Sequence, residues 1–308
     1  MQETEYQLPE GSLYYKKQGR GIEITRYNGL AGRIVIPDDL PWSGEDKTKD
    51  GADGEMLPVK SIARKAFLSK KNLRSIVIPP SVEEVGDWAF AYCSALKSVE
   101  ILSRETVFGR SVFLECAKLR ELRIPEAPEA GSLLAAAVTQ MESDYLLDLR
   151  EAGTREWLEK WDARMLAILY APDSEGYSRQ ILCGEEDYES ADLETYLSRS
   201  RKKKVRLLLL RLLYPMELRS ERKQELREYL LNHTKGRDTE ETWEVVRTEY
   251  GDRREIYELF AKLGCLTKEN APDVIAQIGE EHPEMKAYFL KYQADHFGEK
   301  DFFADLEL

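Results

Sequence analysis

The sequence predicts an α+β, multidomain chain: a short solenoid with a parallel sheet, followed by an all-α helical-repeat domain. Three observations predict it. A 23-residue period runs through the first half. The hydrophobic period then changes from 2 to 3.6 after the segment Pro125 to Gly131. A weaker 29-residue period closes the chain. The chain has 308 residues, 42% of them hydrophobic and 33% charged, enough for two domains with buried cores.

The first period is read by setting three segments in register. Ile62-Ala63-Arg64-Lys65-Ala66-Phe67 leads to Leu73, Ile76 and Ile78. Val85-Gly86-Asp87-Trp88-Ala89-Phe90 leads to Leu96, Val99 and Ile101. Phe108-Gly109-Arg110-Ser111-Val112-Phe113 leads to Leu119, Leu122 and Ile124. A weaker copy precedes them at Ile34-Val35-Ile36-Pro37. Each I-x-I element puts two side chains on one face of a short strand and one on the other. One coil cannot bury that face alone. Coils stacked ~4.8 Å apart make a parallel sheet and a continuous core. Pro37, Pro79 and Pro125 follow the I-x-I elements, and a residue without an N–H ends the strand. The Ala-Phe segment is a short turn whose Phe plugs the core, so Phe67, Phe90 and Phe113 should be buried and stacked.

The pattern I-x-x-x-A-F-x-x-C-x-x-L-x-x-I-x-I-P resembles the BspA-type leucine-rich repeat. Val85, Ala89, Phe90, Cys93, Leu96, Val99 and Ile101 fit it, as do Phe108, Phe113, Cys116, Leu119, Leu122, Ile124 and Pro125. The opening segment, with Ile22, Ile24, Tyr27, Gly29 and Ile36-Pro37, is similar to the start of such arrays. Lys70 and Leu102 depart from it, standing where the repeat has Cys and Pro. A polar insertion at 43–56 interrupts the first copy and reads as a mobile loop. The resemblance covers roughly residues 13–126. It implies a module for protein binding and adhesion, used mostly at cell surfaces. Cys93 and Cys116 share the repeat phase, so their side chains point the same way and read as reduced, buried thiols.

The domains expected are therefore a leucine-rich repeat domain over 1–126, a linker over 127–131 and a helical domain over 132–308. Leu133, Leu134, Val138, Met141, Tyr145 and Leu149 line one helical stripe; Trp157, Trp161, Met165, Leu166 and Leu169 line another. Further helices are predicted at 190–199, 202–215, 219–232, 239–250, 252–264, 271–280 and 283–296. Trp243, Glu255, Phe260 and Lys262 align with Pro272, Glu284, Phe289 and Lys291 at an offset of 29. Such helix pairs are similar to ankyrin-like repeats, without the T-P-L-H signature. The tail, with Phe302, Phe303 and Leu306, packs as a cap or docks elsewhere.

Net charge is −12, about −1 from residues 1–130 and about −11 from 131–308. An acidic chain lacks the clustered cations that phosphate backbones need, which excludes nucleic acid and disfavours an anionic membrane surface. Four cysteines without a CxxC pair and three histidines are too few and scattered for a zinc site. No nucleophile elbow, phosphate-binding loop, HExxH or GxGxxG occurs. No catalytic residue, metal or cofactor is expected. Cys183-Gly184-Glu185-Glu186-Asp187-Tyr188 reads as a solvated acidic loop, the basic run Arg199 to Arg206 as a helix start that pairs with acids, and His233 as a surface or capping residue. The N-terminus lacks a signal-peptide pattern, which suggests a cytoplasmic protein, or a secreted or surface one if a signal has been removed.

The function expected is a non-catalytic interaction or scaffold protein with a protein partner. The alternatives are a surface adhesin and an enzyme with a site near Glu185, Glu186 and Asp187. One candidate binding face is legible, with a solvated face that keeps the sheet edge soluble as its alternative reading. The residue after each repeat leucine is basic: Arg74, Lys97 and Arg120. Beside them the outward strand positions are Ser75 and Val77, Ser98 and Glu100, Glu121 and Arg123.

Overall fold

The computed structural model describes residues 3–42, 55–178, 192–280 and 282–298. Most of the polar insertion, the acidic run 183–188 and the tail from 299 onward lie outside the described residues. The chain divides into two compact units, 1–166 and 167–308.

In the first unit β1 (Thr4–Leu8), β2 (Gly11–Gln18) and β3 (Gly21–Gly29) form an antiparallel meander. The chain continues through β4 (Arg33–Val35), β5 (Asp39–Trp42), β6 (Glu55–Ile62), β7 (Ser75–Ile78), β8 (Glu84–Val85), β9 (Ser98–Ile101), β10 (Val107–Phe108) and β11 (Glu121–Arg123). Each 23-residue repeat supplies one strand to each of two parallel ladders. One runs β4-β7-β9-β11 and holds the I-x-I elements; the other continues from β3 through β6, β8 and β10.

The expected core is present. Phe67, Phe90 and Phe113 are at most 2% exposed. Phe67 and Phe90 stack with ring centroids 5.1 Å apart, Phe90 and Phe113 at 5.7 Å. Tyr27 extends the column by one ring, 5.7 Å from Phe67. The turns that carry these rings are also bonded coil to coil. Lys65, Phe67 and Ser69 donate their N–H groups to the carbonyls of Asp87, Ala89 and Ala91, and Trp88, Phe90 and Tyr92 donate to Arg110, Val112 and Leu114.

Those turns contain a backbone period that the hydrophobic pattern hides. Lys65, Trp88 and Ser111 have φ of 63°, 53° and 50°, and Ser69, Tyr92 and Glu115 have φ of 57°, 60° and 56°. Two left-handed residues per repeat bend the chain around each ring, and none is glycine, so each carries about 1 kcal/mol of strain. Glycine is needed elsewhere. A Cβ on Gly86 would stand 2.6 Å from the Arg64 nitrogen, and one on Gly109 2.6 Å from the Asp87 nitrogen. These glycines let successive coils approach.

The end of the stack is covered. Ala130 and Gly131, in the segment read from composition as a linker, are the first residues of α1 (Ala130–Thr139). This helix packs on β11, so closely that a Cβ on Gly131 would stand 2.7 Å from the Leu122 carbonyl oxygen. A 3₁₀ turn, Asp144–Leu146, follows. Asp144 accepts the Ser111 N–H at 2.7 Å, the bond a further coil would otherwise take. Trp157 and Trp161, at the start of α2 (Arg155–Tyr170), are buried and donate their indole N–H groups to the Leu146 and Leu133 carbonyls. Arg104 ties the third coil to Pro125, Arg150 and Ala152 through their carbonyls. The stripe predicted from Leu133 to Leu149 is corrected here. α1 stops at Thr139, Glu142 takes φ of 52°, and Tyr145 is 64% exposed.

Cys93 and Cys116 are buried, reduced thiols, each donating at 3.1 Å to a carbonyl of the preceding coil, Phe67 and Phe90. Burial pushes Cys93 up to about 11 and Cys116 up to about 12. Cys265 in the second unit is also free and buried, pushed up to about 11 by burial. Thiolate is the reacting species, so these three should resist alkylation in the native protein near pH 8. In denatured, unreduced protein all four cysteines should be modified, measured by intact mass. Two modified cysteines would reveal a bridge and overturn the reading.

The second unit contains α3 (Leu193–Leu213), α4 (Ser220–Asn232), α5 (Glu241–Glu249), α6 (Arg254–Lys262), α7 (Ala271–Gln277) and α8 (Pro283–Phe297). The two helices predicted at 190–199 and 202–215 are one helix, α3. The basic run between them therefore lies mid-helix, not at a helix start. Its aliphatic stems and paired charges allow it to continue there. The starts of α5 and α6, at 241 and 254, recur in α7 and α8 at 271 and 283. Phe260 and Phe289, matched by the 29-residue offset, stack at 6.1 Å beside Trp243 and Tyr257 in the core. Among the described residues no helix is long and apolar enough to cross a membrane.

Candidate interaction face

The outward face of the β4-β7-β9-β11 ladder gathers every residue that the sequence marks for binding. Pairing is in register: Ser75 opposite Ser98, Ser98 opposite Glu121, Val77 opposite Glu100 and Glu100 opposite Arg123. Pleating sends Ile76, Ile78, Val99, Ile101 and Leu122 into the core and leaves these positions at the surface. The basic column flanks them. Arg74 donates its N–H to the Gly32 carbonyl, Lys97 to Arg74 and Arg120 to Lys97, so the three residues stand on successive coils.

The two strand rows begin one strand earlier than the sequence marks. Arg33 pairs with Ser75 and Val35 with Val77, adding an exposed cation and an exposed apolar residue from β4. The Ile34-Val35-Ile36 copy already signals these positions. The face thus holds Arg33, Arg74, Lys97, Arg120 and Arg123 against Glu100 and Glu121. Glu121 is taken by Arg123 at 2.8 Å. The Arg120 guanidinium turns to the Ala117 and Leu119 carbonyls. Arg74 and Lys97 are exposed and have no ion-pair partner among the described residues. The face is cationic on a chain whose net charge is −12.

In the second unit the basic run is spent internally. Lys204, 5% exposed, donates to the Ala171 carbonyl and to Asp173, which also pairs with Arg201. Burial opposes ionisation of Asp173, but hydrogen bonds from Lys204 and Arg201 hold its carboxyl below the usual range. Arg206 grips Glu249 with two bonds of 2.6 and 2.7 Å, and Lys202 pairs with Glu244 at 2.7 Å. His233 caps α4, bonds Thr239 through Nδ1 and is held below its ordinary value, mainly by burial. A cleft of about 680 Å³ lies between Asp192, Arg199, Asp238 and Glu240, with mixed charge. Among the described residues no group of three or more His, Cys, Asp or Glu side chains could hold a metal ion. The acidic run proposed as an alternative enzyme site, Glu185, Glu186 and Asp187, lies outside the described residues.

Comparison with known proteins returns leucine-rich repeat proteins. The family model of the BspA type leucine rich repeat region matches residues 57–132, in six copies. A leucine rich cell surface protein from Faecalibacterium prausnitzii is 26% identical, covering 39% of this chain and 30% of that one, with a TM-score of 0.31. The leucine rich repeat protein of T. pallidum is 28% identical, covering 37% and 48%, TM-score 0.30. A leucine-rich repeat protein from Bacteroides capillosus is 26% identical, covering 40% and 83%, TM-score 0.32. The chain spans less than half the length of the first two. No curated protein sequence matches the chain. These findings lend no support to the cytoplasmic location suggested above, nor to an ankyrin-like assignment of the C-terminal helices. Repeated in phase, stacked through Phe67, Phe90 and Phe113 and matched by the family model, residues 57–132 are a BspA-type leucine-rich repeat region.

Proposed function

We propose that the chain is a non-catalytic protein-interaction module, and that the outer face of β4-β7-β9-β11 contacts an acidic surface of a protein partner. The observation that carries this is the column of Arg74, Lys97 and Arg120. Like charges one coil apart, ~4.8 Å, are unfavourable for the isolated chain. A partner's carboxylates would relieve the repulsion. The finer architecture belongs to the same reading: a solenoid built from the 23-residue coils, and a helical repeat from α5 to α8, supported by the recurring helix starts and the Phe260–Phe289 stack.

The test is the triple substitution Arg74→Glu, Lys97→Glu and Arg120→Glu. Exposed ion pairs are worth at most ~1 kcal/mol each, so single changes would show little. The triple variant should melt within a few degrees of the wild type. Its capture of the native partner, identified by mass spectrometry from the source organism, should weaken, most at low salt where screening is least. Equal capture at low salt would remove this face from the reading.

A further inference from the structure

The turns of the middle coil carry side chains that the repeat does not require. The two left-handed positions of each turn are Lys65 and Ser69 in the first coil and Ser111 and Glu115 in the third, all short or charged. In the second coil they are Trp88 and Tyr92, with φ of 53° and 60°. Large aromatics are poor choices for a left-handed backbone, and such strain persists where the surrounding structure imposes it, often at functional sites. Neither ring fills the core. Phe90 does so between them, while Tyr92 is 48% exposed and Trp88 half-buried. Two cations lie over the Trp88 ring: the Arg64 guanidinium at 4.3 Å and the Lys65 ammonium at 5.3 Å.

The surroundings form a patch. Leu114, 39% exposed, lies beside Tyr92 on the next coil, joined by the Tyr92 N–H to Leu114 carbonyl bond at 2.7 Å. Arg110 lies beside Trp88 in the same way, at 3.0 Å, and is exposed. The neighbouring acid, Asp87, is engaged by the Arg110 N–H at 2.8 Å. The patch is thus two aromatics and a leucine, with Arg64, Lys65 and Arg110 around the Trp88 end and Glu115 next to Leu114. Tryptophan, tyrosine and arginine are the residues that dominate binding energy at protein interfaces, inside a rim that excludes water.

We infer that the Trp88–Tyr92 turn is a second recognition site, distinct from the ladder face, that takes an acidic polypeptide segment bearing an aromatic or large aliphatic side chain. The apolar side chain lies against Tyr92 and Leu114, and flanking carboxylates meet Arg64, Lys65 and Arg110. Charge complementarity selects the partner: Arg64, Lys65 and Arg110 surround Trp88, the acids at that end, Asp87 and Asp144, accept the Arg110 and Ser111 N–H groups, and the exposed Glu115 stands beside Leu114 at the other end.

The test uses the full chain and the residues of its own neighbouring coils. Trp88→Ser and Tyr92→Ser place at each position the residue that stands there in an adjacent coil, Ser111 or Ser69. The double variant should therefore keep its thermal melt. The probe is an array of short synthetic peptides in matched sets: acidic with aromatic or leucine residues, acidic without them, and basic with them. The wild type should bind the first set at least about tenfold better than the others, and the double variant should lose about tenfold or more of that binding. The triple ladder variant should retain it, which separates this site from the proposed face. Three results would overturn the inference: no preference among the sets, undiminished binding by a folded double variant, or equal loss in the ladder variant. A double variant that fails to melt cooperatively would show that the aromatics are structural and overturn it as well.

Discussion

Phe90→Ala is expected to lower the stability of the first unit by ~3–5 kcal/mol, the usual cost of truncating a large core aromatic. For a unit of this size that corresponds to a fall of roughly 10 °C in Tm. The reason is the position of the ring. Phe90 stacks on Phe67 below and Phe113 above, at 5.1 and 5.7 Å, and is fully buried. Its loss opens a cavity between two coils whose backbones are bonded to each other and cannot collapse into it. Phe113→Ala should cost less, because its ring has a stacked coil ring on one side only, with Phe108 tilted beside it at 5.9 Å. Thermal melts followed by circular dichroism decide the matter. A change of less than about 1 kcal/mol for Phe90→Ala would show that the column does not carry the stability assigned to it.

Ending the chain after Pro125 is expected to abolish cooperative folding, whereas ending it after Leu166 should leave a soluble unit with a cooperative melt. The repeats alone present an open end: the far edge of β11, the apolar face of the last coil and the Ser111 N–H. In the full chain α1 covers β11, Asp144 takes the Ser111 N–H at 2.7 Å, and Trp157 and Trp161 hold both pieces through the Leu146 and Leu133 carbonyls. Uncovered ends of stacked repeats need a polar or capping outer face to remain soluble, and an unpaired edge invites association. The two shortened chains, compared by gel filtration and thermal melt, separate a domain that ends at 126 from one that includes the covering helices. Equal cooperativity in the shorter chain would show that the helices are not needed.

The covering helices also mark where the sequence stops being informative. Local repetition is strongly encoded, because every coil meets the same neighbours and therefore needs the same residues. Phe67, Phe90 and Phe113, the I-x-I elements and the outward positions from Ser75 to Arg123 were all legible from one 23-residue period. The cap was not. Composition makes Pro125 to Gly131 a linker, yet Ala130 and Gly131 begin a buried helix, and a Cβ on Gly131 would stand only 2.7 Å from the Leu122 carbonyl oxygen, so a residue without one is required there. That requirement comes from the end of the stack, which no local pattern records.

The candidate face divides in the same way. Sequence phase placed Arg74, Lys97 and Arg120 on one column, since their common offset from the repeat leucine admits no other arrangement. Whether those charges are free depended on contacts from elsewhere in the chain. The stronger basic run, Arg201 to Arg206, looks more conspicuous in sequence, yet it meets Asp173, Glu241, Glu244 and Glu249, brought to α3 from distant positions. Among the described residues Arg74 and Lys97 meet no such acids.

The sequence by itself determined the repeat, its inward and outward faces and its column of cations, because period and polarity act on neighbours a fixed number of residues apart. Only the tertiary structure decided where the stack ends, which basic residues are paired and which aromatics escape the core. Those outcomes rest on groups far apart in the chain, whose meeting depends on packing and backbone geometry rather than on spacing.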